Sequence, residues 1–331
     1  MESALKKGFC AAGFLAYEAG YAFENRLCQN KRYAFPLLYL GCYEHPVRSS
    51  SVAGDPRDAY SLTDITINTP QEKYRRDIER IRRHIEAGDV YQITYCIKMR
   101  FGWAGDAFSL YRALRRTQPV PYAAYLDTEQ FKICSLSPEM FMQKSGTVLR
   151  TKPMKGTWPR GGNFFSDALA GARLHYDAKN RAENLMITDL LRNDLGRIGT
   201  DIRVPGLFEV ARYKLLYQMT SSVTARVPVD IPLLRIFSSL FPSGSVTGAP
   251  KIRAMQIIRE LETEERRIYT GALGYILPDR NMFFNIPIRT LLLHEGCGEM
   301  GIGGGIVWDS TAQGEWDEGM LKGRFLKECA R

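Results

Sequence analysis

Apolar and polar positions along the 331 residues fall into blocks whose period changes repeatedly. Phe9 to Phe23 is an apolar run broken by Gly13 and Gly20, which predicts a strand and a turn. Leu37 to Tyr43 predicts a second strand. Residues 46–70 are rich in Ser, Asp, Pro and Thr and predict a surface connection. Tyr74, Ile78, Ile81 and Ile85 then recur at helical spacing, and Gly88 ends that helix. Val90 to Phe101 alternates as a strand, and Ala107 to Arg116 predicts a short helix. Tyr122 to Leu126 and Phe131 to Ser135 predict a strand pair around a polar turn.

The second half alternates again. Asp177 to Asn193 predicts a helix, 207–227 mostly extended chain, and Ile231 to Leu240 a helix that Pro242 and Gly244 interrupt. Pro250 to Leu261 predicts a helix with proline in its first turn. Thr270 to Leu277, Met282 to Ile286 and Arg289 to His294 predict strands. The glycines from Gly301 to Gly305 precede a strand at Ile306, and Ala312 to Glu328 predicts a closing helix. Strands outnumber crossover helices and often follow one another. That predicts an α+β architecture rather than a doubly wound parallel sheet.

Composition narrows the picture. With 45 Lys+Arg, 36 Asp+Glu and 45% hydrophobic residues, the chain is too apolar for general disorder. No run approaches the roughly 18 uncharged apolar residues of a membrane span. The apolar stretch from Phe9 soon meets Glu18 and lacks a cleavage pattern, so no signal peptide is read. The net charge of +9 invites a nucleic-acid reading. The densest basic cluster, from Lys73 to Arg83, is however broken by acids and has few aromatics, as in a solvated helix face. Attraction of a small anionic substrate remains open. The seven cysteines and four histidines show no zinc spacing, and their usage suits reduced thiols in a cytoplasm.

The glycine run mimics a dinucleotide fingerprint, but Ile306 stands where the third spaced glycine belongs. No phosphate P-loop and no GxSxG elbow occurs. Five other constellations carry candidate chemistry. Glu315, Glu318 and Lys322 share one face of the closing helix, as a salt-bridge face or as ligands of a hard cation. Glu183 lines up with Met186, Ile187 and Leu190 on a core-facing stripe, where a carboxylate needs a cation or metal. Ser243 to Lys251 is a small-residue loop entering a helix, an anion site at which Lys251 would meet an anionic ligand. Lys155 lies in a rigid loop, Lys152 to Arg160, either solvated or buried as a nucleophile of lowered pKa. Glu139, in Ser137-Pro-Glu139, is a candidate proton donor or acceptor.

Together these residues form an ordered set: SPEMF (137–141), KPMKGTWPRG (152–161), RAENLMITDLLRNDLGRI (181–198), SGSVTGAPKIRAM (243–255), IRTL (288–291), GGGIVWDS (303–310) and EWDE (315–318). The set resembles the chorismate-utilising enzymes, which include anthranilate, isochorismate, salicylate and aminodeoxychorismate synthases. The likeness covers residues 70–331, and PMKGT resembles the aminodeoxychorismate synthase component I branch, because anthranilate synthases carry alanine at the position of Lys155. Gln92 stands where isochorismate and salicylate synthases place a catalytic lysine.

The resemblance implies the α+β fold of that family, with mixed, mostly antiparallel sheets in a sandwich flanked by helices. It implies Lys155 as nucleophile, Glu139 as general acid and Thr157 beside the leaving group. Glu183, Glu315 and Glu318 match the family's Mg²⁺ ligands. Gly248, Ala249, Lys251, Arg289, Gly303, Gly304 and Lys322 match substrate-binding positions. It implies chorismate as substrate, ammonia from a glutamine amidotransferase partner, and 4-amino-4-deoxychorismate as product. Nucleic acid and membrane are not expected partners. Anthranilate synthesis, and a non-catalytic anion-binding subunit of the same fold, remain the alternatives. Residues 1–69 are expected to be the remnant of an N-terminal subdomain, without a tryptophan pocket, packed on a catalytic domain of residues 70–331. Gln218 departs from the histidine that many relatives carry, which shifts weight to Glu139.

Overall fold

Two antiparallel sheets divide the chain between them. The structure is a computed structural model describing residues 1–48, 60–213 and 216–329. The nine-stranded sheet runs in the order Thr200–Arg212, Leu216–Arg226, Val148–Lys152, Met140–Ser145, Met282–Asn285, Ala272–Ile276, Cys10–Leu15, Leu38–Tyr43. Met154–Pro159 pairs off this path with Leu216–Arg226. The seven-stranded sheet runs Gly248–Ala249, Gln92–Gly105, Cys297–Ile306, Thr290–His294, Lys132–Ser137, Tyr122–Asp127, with Tyr60–Ile67 also on Gln92–Gly105. The expected α+β class and mostly antiparallel sheets are observed.

Each sheet builds its own apolar core. Tyr74, Ile78 and Ile81, the predicted stripe of the helix Gln71–Glu86, are buried against Tyr95, Met99 and Ile302 of the seven-stranded sheet. The helix Ala312–Cys329 packs on Cys297–Ile306 and adds Phe325 and Leu326 to that core. On the other sheet, Ile187, Leu191 and Leu195 of the helix Ala178–Gly196 pack with Val223, Phe237 and Leu240. Each fully buried side chain of this kind stabilises the fold by about 1.5–3 kcal/mol before entropy is counted. Asp177 caps the Ala178–Gly196 helix, its carboxylate accepting the Asn180 N–H at 2.8 Å.

Several segments differ from expectation. The polar stretch 46–70 contains the strand Tyr60–Ile67, in which Leu62 is buried. A register shift between Thr63 and Thr66 breaks its alternation, which hid the strand, and residues 49–59 of that stretch lie outside the described residues. Lys152 to Arg160 is largely strand rather than loop, because Met154–Pro159 pairs with Leu216–Arg226 despite its flanking prolines. The glycines Gly301 to Gly305 lie inside the strand Cys297–Ile306, not before it. A helix at Phe164–Tyr176, closed by an Asn163–Ser166 capping box, has no counterpart in the periodicity reading. Cys10–Leu15 lies between Leu38–Tyr43 and Ala272–Ile276, so the first strands are woven into the larger sheet. Among the described residues no helix is long and apolar enough to cross a membrane, and no disulfide joins the cysteines.

Candidate active site

The two sheets meet where Met154–Pro159 approaches the C-terminal end of Cys297–Ile306. Lys155 reaches across: its Nζ lies 3.3 Å from the point where a Cβ on Gly305 would stand. Gln92 Nε2 is 2.2 Å from the same point. A side chain at 305 would therefore fill the space into which both groups project. Gln92 is fully buried and neither of its amide atoms has a protein partner. A buried amide without partners is costly unless a ligand supplies them.

Burial lowers the Lys155 pKa from the ordinary lysine value. Glu183 and Glu139 oppose that shift without reversing it. Glu139 is 3% exposed, and its burial raises its pKa against the opposing hydrogen bond from Ser245, the charge of Lys155 and the Met154 N–H. The Met154 N–H donates to Glu139 Oε1 at 3.4 Å. The nucleophile candidate and the acid candidate thus face each other, one biased toward the free amine and the other toward the protonated carboxyl.

The second wall comes from the helix Ala312–Cys329. A Cβ on Gly304 would lie 2.9 Å from Glu315 Oε2, 3.6 Å from Lys322 Nζ and 3.9 Å from Glu318 Oε1. The three predicted side chains therefore converge over a bare stretch of backbone. Lys322 Nζ pairs with Glu318 Oε1 at 2.7 Å and donates to the Gly303 carbonyl at 2.8 Å. Ser310 Oγ donates to Glu315 Oε1 at 2.6 Å. Burial raises the Glu315 pKa, and neighbouring Glu318 adds to the rise. Burial also works to raise Glu318, but Lys322 and Lys155 outweigh it and the net shift is down. Glu183 is half-buried and raised by burial, with Lys155 and Lys179 opposing.

This donor set fits a hard cation that keeps other ligands. Two carboxylates converge at Gly304, and Glu183 acts electrostatically on the same centre. Among the described residues no three His, Cys, Asp or Glu side chains are gathered closely enough to enclose an ion alone. Magnesium characteristically takes one or two carboxylates and completes its shell with water and substrate oxygens.

Other predicted residues have distinct placements. Gly248 pairs with Ile93 at φ +151, and a Cβ there would meet the Gln92 carbonyl at 2.2 Å, so only glycine allows this approach. Ala249 is buried opposite Gln92. Arg289 is half-buried, accompanied by Tyr213 and Tyr269, and donates to Gln118 Oε1 at 3.3 Å. Burial lowers its pKa. Thr157 is exposed, and its register sets it opposite buried Gln218. Lys251 does not present a free charge: Nζ lies 2.5 Å from Asp194 Oδ2 and 3.3 Å from the Leu240 carbonyl.

The sequence reading missed Ser245, Tyr269 and Lys179 as members of this site. Lys179 precedes Glu183 by four residues, a helical spacing that signals the pair. Tyr269 packs where a side chain on Gly301 would stand, 2.2 Å from that point. Nothing in its local sequence announces this.

Comparison with known proteins agrees with the geometry. The chorismate binding enzyme family matches residues 2–328. Aminodeoxychorismate synthase component 1 of Escherichia coli is 37% identical over 280 residues, 83% of this chain and 62% of that protein. Anthranilate synthase component 1 of Aquifex aeolicus is 36% identical over 264 residues, 79% of this chain and 53% of that protein. The chain thus spans less than two thirds of each of these relatives. The crystal structure of anthranilate synthase component I from Streptococcus pneumoniae superposes with a TM-score of 0.84 at 28% identity, over 97% of this chain and 80% of that one. From its fold, its converging carboxylates and these matches, the chain belongs to the chorismate binding enzyme family.

Proposed function

We propose that the chain is the chorismate-aminating component of an aminodeoxychorismate synthase, forming 4-amino-4-deoxychorismate for para-aminobenzoate and folate synthesis. The observation that carries this reading is Lys155, biased toward its neutral amine, beside the Gly305 Cβ position and acted on by the charges of Glu183, Glu139 and Glu318. The Lys155 amine bonds to C2 of the chorismate ring. Both ring double bonds shift by one position toward C4, the C4–O bond breaks, and Glu139 delivers the proton with which that hydroxyl leaves as water. Ammonia then bonds to C4, both double bonds shift back, and the C2–N bond to Lys155 breaks, returning the Lys155 amine. Thr157 lies on the same strand as Lys155, and its hydroxyl faces the leaving side of the ring.

Glu183, Glu315 and Glu318 would hold Mg²⁺. When bound, the ion withdraws charge from the ring carboxylate as a Lewis acid. Arg289, Lys322 and the Gly248–Ala249 backbone receive the substrate carboxylates, and the bare Gly303–Gly304 backbone admits the ring. Lys251, already paired with Asp194, braces this wall rather than contacting substrate. Ammonia comes from a glutamine amidotransferase subunit, and cysteines that form no disulfide suit a reducing cytoplasm.

Anthranilate synthesis is the second reading, supported by the Aquifex aeolicus relative. Incubation with chorismate, Mg²⁺ and ammonium, with and without an aminodeoxychorismate lyase, separates the two. Para-aminobenzoate formed only with lyase supports amination at C4. Direct release of anthranilate overturns it.

A further inference from the structure

Glu139 must alternate between two protonation states if it is the acid of the proposed reaction, and a buried carboxyl needs hydrogen-bond partners in both. Its surroundings are dry: Glu139 is 3%, Ser245 3% and Ser243 4% exposed. Ser245 hydrogen-bonds the carboxyl. Behind it, Ser243 Oγ lies 3.0 Å from Ser245 Oγ, and either hydroxyl can be the donor.

We infer that Ser245, backed by Ser243, is a positioning residue that holds the Glu139 carboxyl in both of its protonation states. The chemistry of hydroxyls makes this possible. Against the carboxylate, Ser245 donates its O–H forward and accepts from Ser243. Against the carboxylic acid, Ser245 accepts the acid proton and donates its own O–H back to Ser243. The pair reverses polarity without moving a heavy atom, so Glu139 keeps a matching hydroxyl partner in either state. No backbone N–H could do this, because it only donates.

The turn that carries the pair is fixed from three sides. Thr247 Oγ1 donates to the Ser243 carbonyl at 3.0 Å, and the Ser245 N–H reaches Ser243 Oγ at 3.4 Å. Leu190 packs so tightly on Gly244 that a Cβ there would stand 2.0 Å from Leu190 Cδ2. Leu190 belongs to the helix that carries Glu183, so one helix sets both the carboxylate wall and the serine turn. Lys155, on Met154–Pro159, is the charged group acting on Glu139 from across the site.

This inference rests on the amination reading, so its test has one arm that does not. In the first arm the carboxyl C=O band of Glu139, identified by its loss in Glu139→Gln, is followed by infrared titration. Ser245→Ala removes a partner from both states, but the charge-assisted bond to the carboxylate is the stronger of the two, so the midpoint moves to higher pH. Ser245→Thr returns it, and Ser243→Ala moves it in the same direction by less. In the second arm chorismate turnover is measured: Ser245→Ala loses roughly tenfold in kcat with little change in KM, and Ser245→Thr restores most of that loss. An unmoved midpoint in Ser245→Ala, or Ser245→Thr as impaired as Ser245→Ala, overturns the inference. If the wild-type protein leaves chorismate unchanged, the amination reading fails and the infrared arm alone decides this one.

Discussion

The two walls of the site treat charge in opposite ways. On the nine-stranded-sheet side, Glu139 is buried, Lys155 is half-buried, and burial is the largest influence on both. On the helix side, Glu318 and Lys322 keep side-chain exposures of 56% and 37% and hold each other at 2.7 Å. Burial is also the largest single influence on Glu315 and Glu318, but at Glu318 the pairing with Lys322 helps outweigh it and the net shift is down. The first wall therefore suits bond making and proton transfer. The second suits gripping an ion and a carboxylate.

The largest expected effect falls on the dry wall. Lys155→Ala should lower the rate of aminodeoxychorismate formation roughly 10³-fold or more, measured in the lyase-coupled assay with ammonium. Glu139→Gln should cost about 10²-fold or more and remove one limb of the pH profile. The sign follows from the shifts. Below the lowered pKa of Lys155 the amine is protonated, so activity falls as pH falls. Above the raised pKa of Glu139 the acid is lost, so activity falls as pH rises. A Glu139→Gln profile that keeps its basic limb would break the assignment.

A smaller effect is expected on the wet wall. Glu315→Gln should weaken Mg²⁺ binding by about 10–100-fold, read by calorimetry without substrate, while folding is retained. Unchanged Mg²⁺ affinity would remove that wall from the metal account.

A fourth change tests the frame that holds both walls. Arg266 is 3% exposed, pairs with Glu262, and donates to the carbonyls of Val246 and Thr94. It also covers the Tyr17 ring at 4.4 Å. Those contacts tie the serine turn to the central strand. Arg266→Ala leaves Glu262 buried without its partner and should cost about 3–5 kcal/mol in denaturant unfolding. A loss below about 1 kcal/mol would show that the turn is held elsewhere.

The same contrast explains what could be read from the sequence. The helix face of Glu315, Glu318 and Lys322 is local: spacing alone puts those side chains together, and the structure converges them on Gly304. The Tyr74 to Ile85 stripe was legible for the same reason. The dry wall is not local. Glu139, Lys155 and Ser245 come from three separate segments that only sheet pairing unites. Prolines around Met154–Pro159 made a paired strand resemble a loop. Lys251 shows the converse limit. An ammonium at a helix start suggested an anionic ligand, and its spacing gave no sign of the ion pair it makes with Asp194 from a different helix.

The central claim is that the Lys155 amine is the attacking group. The most direct test is intact mass and peptide mapping of enzyme quenched with chorismate and Mg²⁺ before ammonium is added. The account predicts an adduct of chorismate less one water on the peptide carrying Lys155, absent in Lys155→Ala and discharged by ammonium. An unmodified Lys155, together with Lys155→Ala forming the amino product at the wild-type rate, would contradict it.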